Sequence, residues 1–136
     1  MLFQLHTGWV AGYNEGQSPL IYLVSTVQVV VKAGLSWVFS DGHGIAHFTS
    51  TFDDLADLSK VDWETVYARV WRDTVDDMDR QRRKQAEFLV HEFCPWEVIQ
   101  EIGVIDGVAQ AQVEAILKQS DANMRRVVDT RREWYY

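Results

Sequence analysis

Arg80-Gln81-Arg82-Arg83-Lys84-Gln85-Ala86-Glu87-Phe88-Leu89-Val90-His91 is the stretch on which the reading of this chain turns. Arg80, Arg82, Arg83 and Lys84 crowd positive charge into one short segment, and a single carboxylate, Glu87, follows at the mouth of the apolar run Phe88-Leu89-Val90. Met78, Arg82, Ala86, Leu89 and Phe93 fit a helical period, whereas Ala86, Phe88 and Val90 alternate as in a strand. We place helix or loop to about Lys84 and a strand beyond it. Such a segment can hold an anion beside an acid.

Upstream, Asp73, Asp76, Asp77 and Asp79 form an acidic connector, most simply a solvated loop. Before it, Phe52, Leu55 and Leu58, then Trp63, Val66 and Val70, recur at helical spacing, and Asp62 is placed to cap the second segment. Earlier still, Leu20-Ile21-Tyr22-Leu23-Val24 after Pro19 has the pattern of a buried strand. Ser25-Thr26 caps a short helix through Lys32 that Gly34 stops. Trp37-Val38-Phe39 is a second strand running into the turn Ser40-Asp41-Gly42-His43-Gly44. Residues 1–18, with Gly8, Gly12, Asn14 and Gly16, form a loop-rich lead-in.

Downstream, Pro95 is suited to start a helix containing Val98, Ile99 and Ile102 and stopped by Gly103, with a short strand at Val104-Ile105. A further helix follows Gly107, through Val108, Ala111, Ala115 and Leu117, to about Ser120. The tail 127–136 has strand-like composition. Short strands and helices in no strict alternation indicate an α+β fold.

At 136 residues and 47% hydrophobic, the chain has material for one ordinary core, and we expect residues 1–136 to form a single domain. A net charge of -7 argues against broad attraction to nucleic acid, so any contact with phosphate must be local. The lone Cys94 precludes an internal disulfide and suits a reducing compartment. The opening Met1-Leu2-Phe3-Gln4-Leu5-His6 lacks the features of a secretion signal, and the apolar stretch from Leu20 to Val31 is too short to cross a bilayer. These features read as a soluble, cytoplasmic protein.

Each candidate for chemistry has a plainer alternative. A carboxylate beside an apolar run, such as Glu87, is commonly its solvent-facing member. At the edge of a buried strand, however, desolvation and neighbouring arginines would act on it in opposite directions. Arg80, Arg82, Arg83 and Lys84 can grip phosphates through forked donors, or form a solvated face neutralised by Asp76 and Asp79. His43 and His47 have the spacing of paired zinc ligands, but Gly42 and Gly44 oppose a helix there and no glutamate follows His43, so no metal is expected. His43 in a glycine-flanked turn is a hydrogen-bonding or substrate-contacting group, or a structural one. Cys94 beside Pro95 reads as a buried thiol, and neither Ser25 nor Ser40 has a Gly-x-Ser-x-Gly setting. Trp134, Tyr135 and Tyr136 can stack on bases or close a core.

Several segments in order resemble the DarT family, the DNA ADP-ribosyltransferase toxins of DarTG-type toxin–antitoxin systems. They are Pro19-Leu20-Ile21-Tyr22-Leu23-Val24, Trp37-Val38-Phe39-Ser40-Asp41-Gly42-His43-Gly44, Val61-Asp62-Trp63, Arg82-Arg83-Lys84-Gln85-Ala86-Glu87-Phe88-Leu89-Val90 and the ending Trp134-Tyr135-Tyr136. The similarity runs from about Leu2 to Tyr136 and matches the C-terminal part of the family, whose N-terminal part has no counterpart in the chain.

The resemblance implies an ADP-ribosyltransferase-like α+β fold, two small packed β-sheets with flanking helices and NAD+ in a cleft between them. It implies transfer of ADP-ribose from NAD+ to a base of single-stranded DNA, without a metal. The family's catalytic glutamate falls on Glu87. Thr74 to Lys84 corresponds to the loop that meets the acceptor, making Arg80, Arg82 and Arg83 phosphate contacts, and His43 lines the acceptor pocket. An antitoxin protein of the DarG kind is the implied partner. Tyr22 stands where the family has a histidine, and Thr7 and Trp9 replace basic and polar residues. The departures leave open a truncated, non-catalytic homologue that binds NAD+, single-stranded DNA or an antitoxin.

Overall fold

Alternation and capping build most of the elements in a computed structural model that describes residues 11–136. Thr7, Gly8 and Trp9, and the opening hexapeptide, lie outside the described residues. In chain order the elements are β1 (Tyr22–Val24), α1 (Val27–Lys32), β2 (Trp37–Ser40), β3 (Thr51–Phe52), α2 (Trp63–Tyr67), α3 (Arg80–Arg83), β4 (Phe88–Val90), β5 (Glu101–Val104), α4 (Gly107–Gln119) and β6 (Val127–Thr130). Single 3-10 segments lie at Leu55–Lys60, Trp96–Val98, Ala122–Met124 and Arg132–Trp134. The described residues fall into two units, 11–33 with Pro95–Tyr136, and Gly34–Cys94. The fold is α+β, with one three-stranded sheet in each unit.

In the first unit the strand order is β1-β5-β6, with β1 antiparallel and β6 parallel to β5. A parallel pair needs a long crossover, and α4 supplies it. That helix starts where Asp106 accepts from the backbone N–H groups of Val108 and Ala109. Its face carrying Ala109, Val113 and Leu117 packs with Trp96 on Ile102, Val104 and Val128, the buried centre of this sheet. After β1, Thr26 caps α1 as expected, and Gly34 beyond the helix end takes a φ of 69° that a side chain would strain. The strand itself is an edge, so Leu23 is 51% exposed instead of buried.

Two expectations fail in this unit. The helix from Pro95 through Ile102 is a single 3-10 turn, Trp96–Val98, followed by β5. Gln100 N donates to Val24 O at 2.8 Å and Ser25 Oγ to Val98 O at 2.6 Å, so β1 draws this backbone into the sheet. Gly103 lies within the strand, because a Cβ there would stand 2.5 Å from the Trp134 ring. The tail is a strand only to Thr130. Trp134 and Tyr135 then pack edge-on against Tyr22, with ring centroids 5.3 and 5.2 Å away, and Tyr22 Oη donates to Trp134 O at 2.7 Å. Burial, and secondarily Tyr136, raises the Tyr22 phenol above its ordinary range. Tyr22 therefore fastens the C-terminal residues to the sheet.

In the second unit the order is β3-β2-β4, both pairs antiparallel. Phe39 lies opposite Phe52 on one side and Phe88 on the other, and is only 2% exposed. Trp37 stacks on Phe88 at 5.3 Å and Phe39 on Phe52 at 5.2 Å, so one face of the sheet is an aromatic layer. Recruitment of Phe52 into this layer overrides the helical spacing that began with it. What remains of that helix is the 3-10 segment capped by Asp54. Asp62 caps α2 as expected, accepting from Thr65 N at 3.0 Å. Among the described residues no helix is long and apolar enough to cross a membrane.

Candidate active site

Glu87 immediately precedes β4, and the last residue of β2 holds its backbone. Ser40 N donates to Glu87 O at 2.9 Å, and Ser40 Oγ accepts from Glu87 N at 3.1 Å. The same hydroxyl donates to Gly42 O at 2.7 Å, so one buried serine joins Glu87 to the Asp41–Gly44 turn. The Glu87 side chain is exposed. It passes beside that turn, where a Cβ on Gly44 would lie 3.7 Å from Glu87 Oε2.

The turn is fixed from its other side by α3. His43 N donates to Arg82 O at 2.9 Å, and Thr49 Oγ1 donates to His43 O at 2.7 Å. Arg82 Nη1 reaches Asp41 Oδ1 at 3.0 Å and Thr49 Oγ1 at 3.3 Å. Asp41 Oδ1 also accepts from Ser50 N at 2.9 Å. The fit is close: a Cβ on Gly42 would come within 2.4 Å of Arg82 Nη1 and 2.9 Å of Arg82 O. His43 keeps its Nδ1 buried with no hydrogen-bond partner among the described residues. His47 is exposed, separate from this network.

The basic cluster is matched to the aspartates around it. Arg82 grips both oxygens of Asp79, Nε at 2.8 Å and Nη2 at 2.7 Å, a bidentate geometry. This hydrogen bonding holds the Asp79 carboxyl below the usual carboxylate range and raises the Arg82 guanidinium. Arg83 binds Asp62 and Asp77. The Asp62 carboxyl is lowered first by its cap bond from Thr65 N and further by Arg83. Arg80 Nε lies 3.1 Å from Asp77. Lys84 Nζ is turned onto carbonyls at the end of α2, including Val66 O at 3.0 Å, and burial lowers its pKa. The acidic connector is thus an ion-pairing partner of α3, with Asp77 and Asp79 in it. Asp76 makes no such pair.

Of the residues expected to carry chemistry, the structure brings His43, Arg82 and Glu87 to one end of the β2–β4 pair. Arg80 and Arg83 occupy the same helix as Arg82, facing the acidic connector. Ser40, Asp41 and Thr49 were not among the expected residues. The Asp-Gly turn signal marked their neighbourhood, but nothing local pairs Asp41 with Arg82. Cys94, expected as a buried thiol, is exposed. Among the described residues no cluster of three or more His, Cys, Asp or Glu side chains is placed to hold a metal ion.

The family model described as "ssDNA thymidine ADP-ribosyltransferase, DarT" matches residues 1–136. A DNA ADP-ribosyl transferase of Thermus aquaticus is 40% identical over 136 residues, which are 100% of this chain and 58% of that protein. A DNA ADP-ribosyl transferase of Escherichia coli O127:H6 is 29% identical over the same length, covering 62% of it. The chain therefore spans about three fifths of these relatives. Among solved structures, Thermus sp. 2.9 DarT in complex with NAD+ superposes with a TM-score of 0.91 at 38% identity, over 99% of this chain and 66% of that one. The same protein in complex with ADP-ribosylated ssDNA gives 0.91 over 63% of its length. The family model matches the full chain and the fold superposes on the Thermus protein, and the chain belongs to the DarT family.

Proposed function

We propose that the chain transfers ADP-ribose from NAD+ to a base of single-stranded DNA, with Glu87 as the catalytic carboxylate. The observation that carries this reading is the clamping of Glu87 by Ser40 beside the His43 turn. It places one acid at a fixed sheet end in a chain whose Thermus relative is seen with NAD+ and with ADP-ribosylated ssDNA. In the reaction the bond from the anomeric carbon of the nicotinamide ribose to the pyridinium nitrogen breaks, and its electron pair leaves with neutral nicotinamide. A bond forms from that carbon to a nitrogen of the base, whose proton passes to Glu87. Glu87 also hydrogen-bonds the ribose and stabilises the oxocarbenium-like charge as it develops.

His43 lines the acceptor pocket in this reading. Arg80, which pairs with Asp77 through Nε, contacts a DNA phosphate, while Arg82 and Arg83 serve the substrate by holding the acceptor loop in shape. Residues 1–136 act as one functional domain without a metal. In the cell the protein works in the cytoplasm, where NAD+ and exposed single strands occur, as a toxin held in check by an antitoxin protein. The test is incubation with NAD+ and mixed-sequence oligonucleotides. A DNA mass gain of one ADP-ribose that disappears with Glu87→Ala supports the proposal, and no gain, or a gain that survives the substitution, refutes it.

A further inference from the structure

Arg80, Arg82, Arg83 and Arg131 each find an acid at ion-pair distance, whereas Lys118, Arg125 and Arg126 do not. Those three, with Glu114 and Leu117, line a cavity of about 230 Å³ beside the second half of α4. Arg126 is fixed there. Its Nε donates to Ile99 O, Nη1 to Asn123 O at 2.9 Å and Arg125 O at 2.7 Å, and Nη2 to Trp96 O at 2.9 Å, with the guanidinium 5.2 Å from the centroid of the Trp96 ring. Every acceptor is a neutral carbonyl, so this half-buried charge is positioned without being neutralised, and one Nη2 hydrogen has no acceptor. The side chains of Lys118 and Arg125 are exposed and make no ion pair or hydrogen bond among the described residues. Among the described residues that line the cavity Glu114 is the one acid, and its Oε1 accepts from Gln110 Nε2 at 3.2 Å.

We propose that this cavity is a binding site for a phosphate group, held by Lys118, Arg125 and the remaining Nη2 hydrogen of Arg126. Three cations less one carboxylate leave two positive charges around the cavity, the complement of a phosphate near neutral pH. A single carboxylate would supply only half of that charge. Guanidinium forks match phosphate oxygens, and the Lys118 ammonium adds a mobile point charge. Leu117 provides an apolar wall, so the phosphate of a nucleotide is accommodated as well as the free ion. The site shares no residue with the Glu87 turn, and it stands or falls apart from the transferase reading.

The test follows the backbone amide NMR shifts of the whole chain in titrations with inorganic phosphate, with adenosine 5′-monophosphate and, as the control, with chloride at matched ionic strength. Phosphate gives saturable shifts at Lys118, Arg125 and Arg126 that chloride does not reproduce. The Lys118→Gln/Arg125→Gln variant weakens binding about 10-fold or more, and Glu114→Gln, which removes the opposing charge, tightens it. Both cationic side chains are exposed and unpaired, so the double variant keeps the parent's urea midpoint. Tighter binding of the monophosphate, read at the same residues, identifies a nucleotide as the ligand, and equal or weaker binding identifies free phosphate. Shifts that do not saturate, that chloride reproduces, or that persist at unchanged affinity in the double variant overturn the site.

Discussion

Ser40 and Glu87 hold each other across the ends of β2 and β4: the Ser40 amide donates to the Glu87 carbonyl, and the Ser40 hydroxyl accepts from the Glu87 amide. Because that hydroxyl also donates to Gly42 O, its removal loosens the acid and the neighbouring turn together. Ser40 is 2% exposed, so Ser40→Ala leaves the Glu87 N–H and the Gly42 carbonyl short of a partner where water does not readily replace it. We expect a loss of about 1–3 kcal/mol of stability in urea denaturation, together with a lower transfer rate. A variant as stable and as active as the parent would show that the hydroxyl does not position Glu87.

The two glycines of the turn are expected to behave differently. At Gly42 an added methyl meets both the guanidinium and the carbonyl of Arg82, and the carbonyl cannot step aside without moving α3. Gly42→Ala is expected to cost about 1–3 kcal/mol in equilibrium unfolding. At Gly44 the same methyl makes an ordinary contact with Glu87 Oε2, so Gly44→Ala stays within about 0.5 kcal/mol of the parent. Equal stabilities for the pair would contradict the close approach of Arg82 to the turn.

The aspartates around α3 set the response to acid. The native pKa values of Asp62 and Asp79 are depressed, the first mainly by the Thr65 amide and the second mainly by Arg82. A depressed native pKa means that the stabilisation is present above the unfolded value, about 3.9, and is lost as pH falls through the lower native value. Urea midpoints should therefore hold level through mildly acidic pH and drop below about pH 4, with a shallower drop in Asp79→Asn. A decline already complete by pH 5 would assign the acid sensitivity to other groups.

How much of this was legible in the sequence depended on how local the cause was. Thr26, Asp62 and Gly34 act on neighbouring backbone, and the elements they bound formed where capping and turn chemistry placed them. Ala86-Glu87-Phe88-Leu89-Val90 gave away β4 because alternation survives in an aromatic layer. The segment after Pro95 misled because Val98, Ile99 and Ile102 fit a helix, while the pairing of Gln100 with Val24 is a distant contact that no local period carries. The basic run was visible as charge. That its arginines would be matched to Asp41, Asp62, Asp77 and Asp79 needed the turn and α2 to arrive beside α3.

The central claim is that Glu87 is the carboxylate facing the nicotinamide ribose, and a crystal structure with carba-NAD+, the compound seen bound to the Thermus relative, tests it most directly. The account predicts a Glu87 carboxylate oxygen within about 2.6–3.2 Å of a hydroxyl of that ribose, with Ser40 still bonded to the Glu87 backbone. A dinucleotide bound away from the His43 turn, with Glu87 directed into solvent, would contradict it.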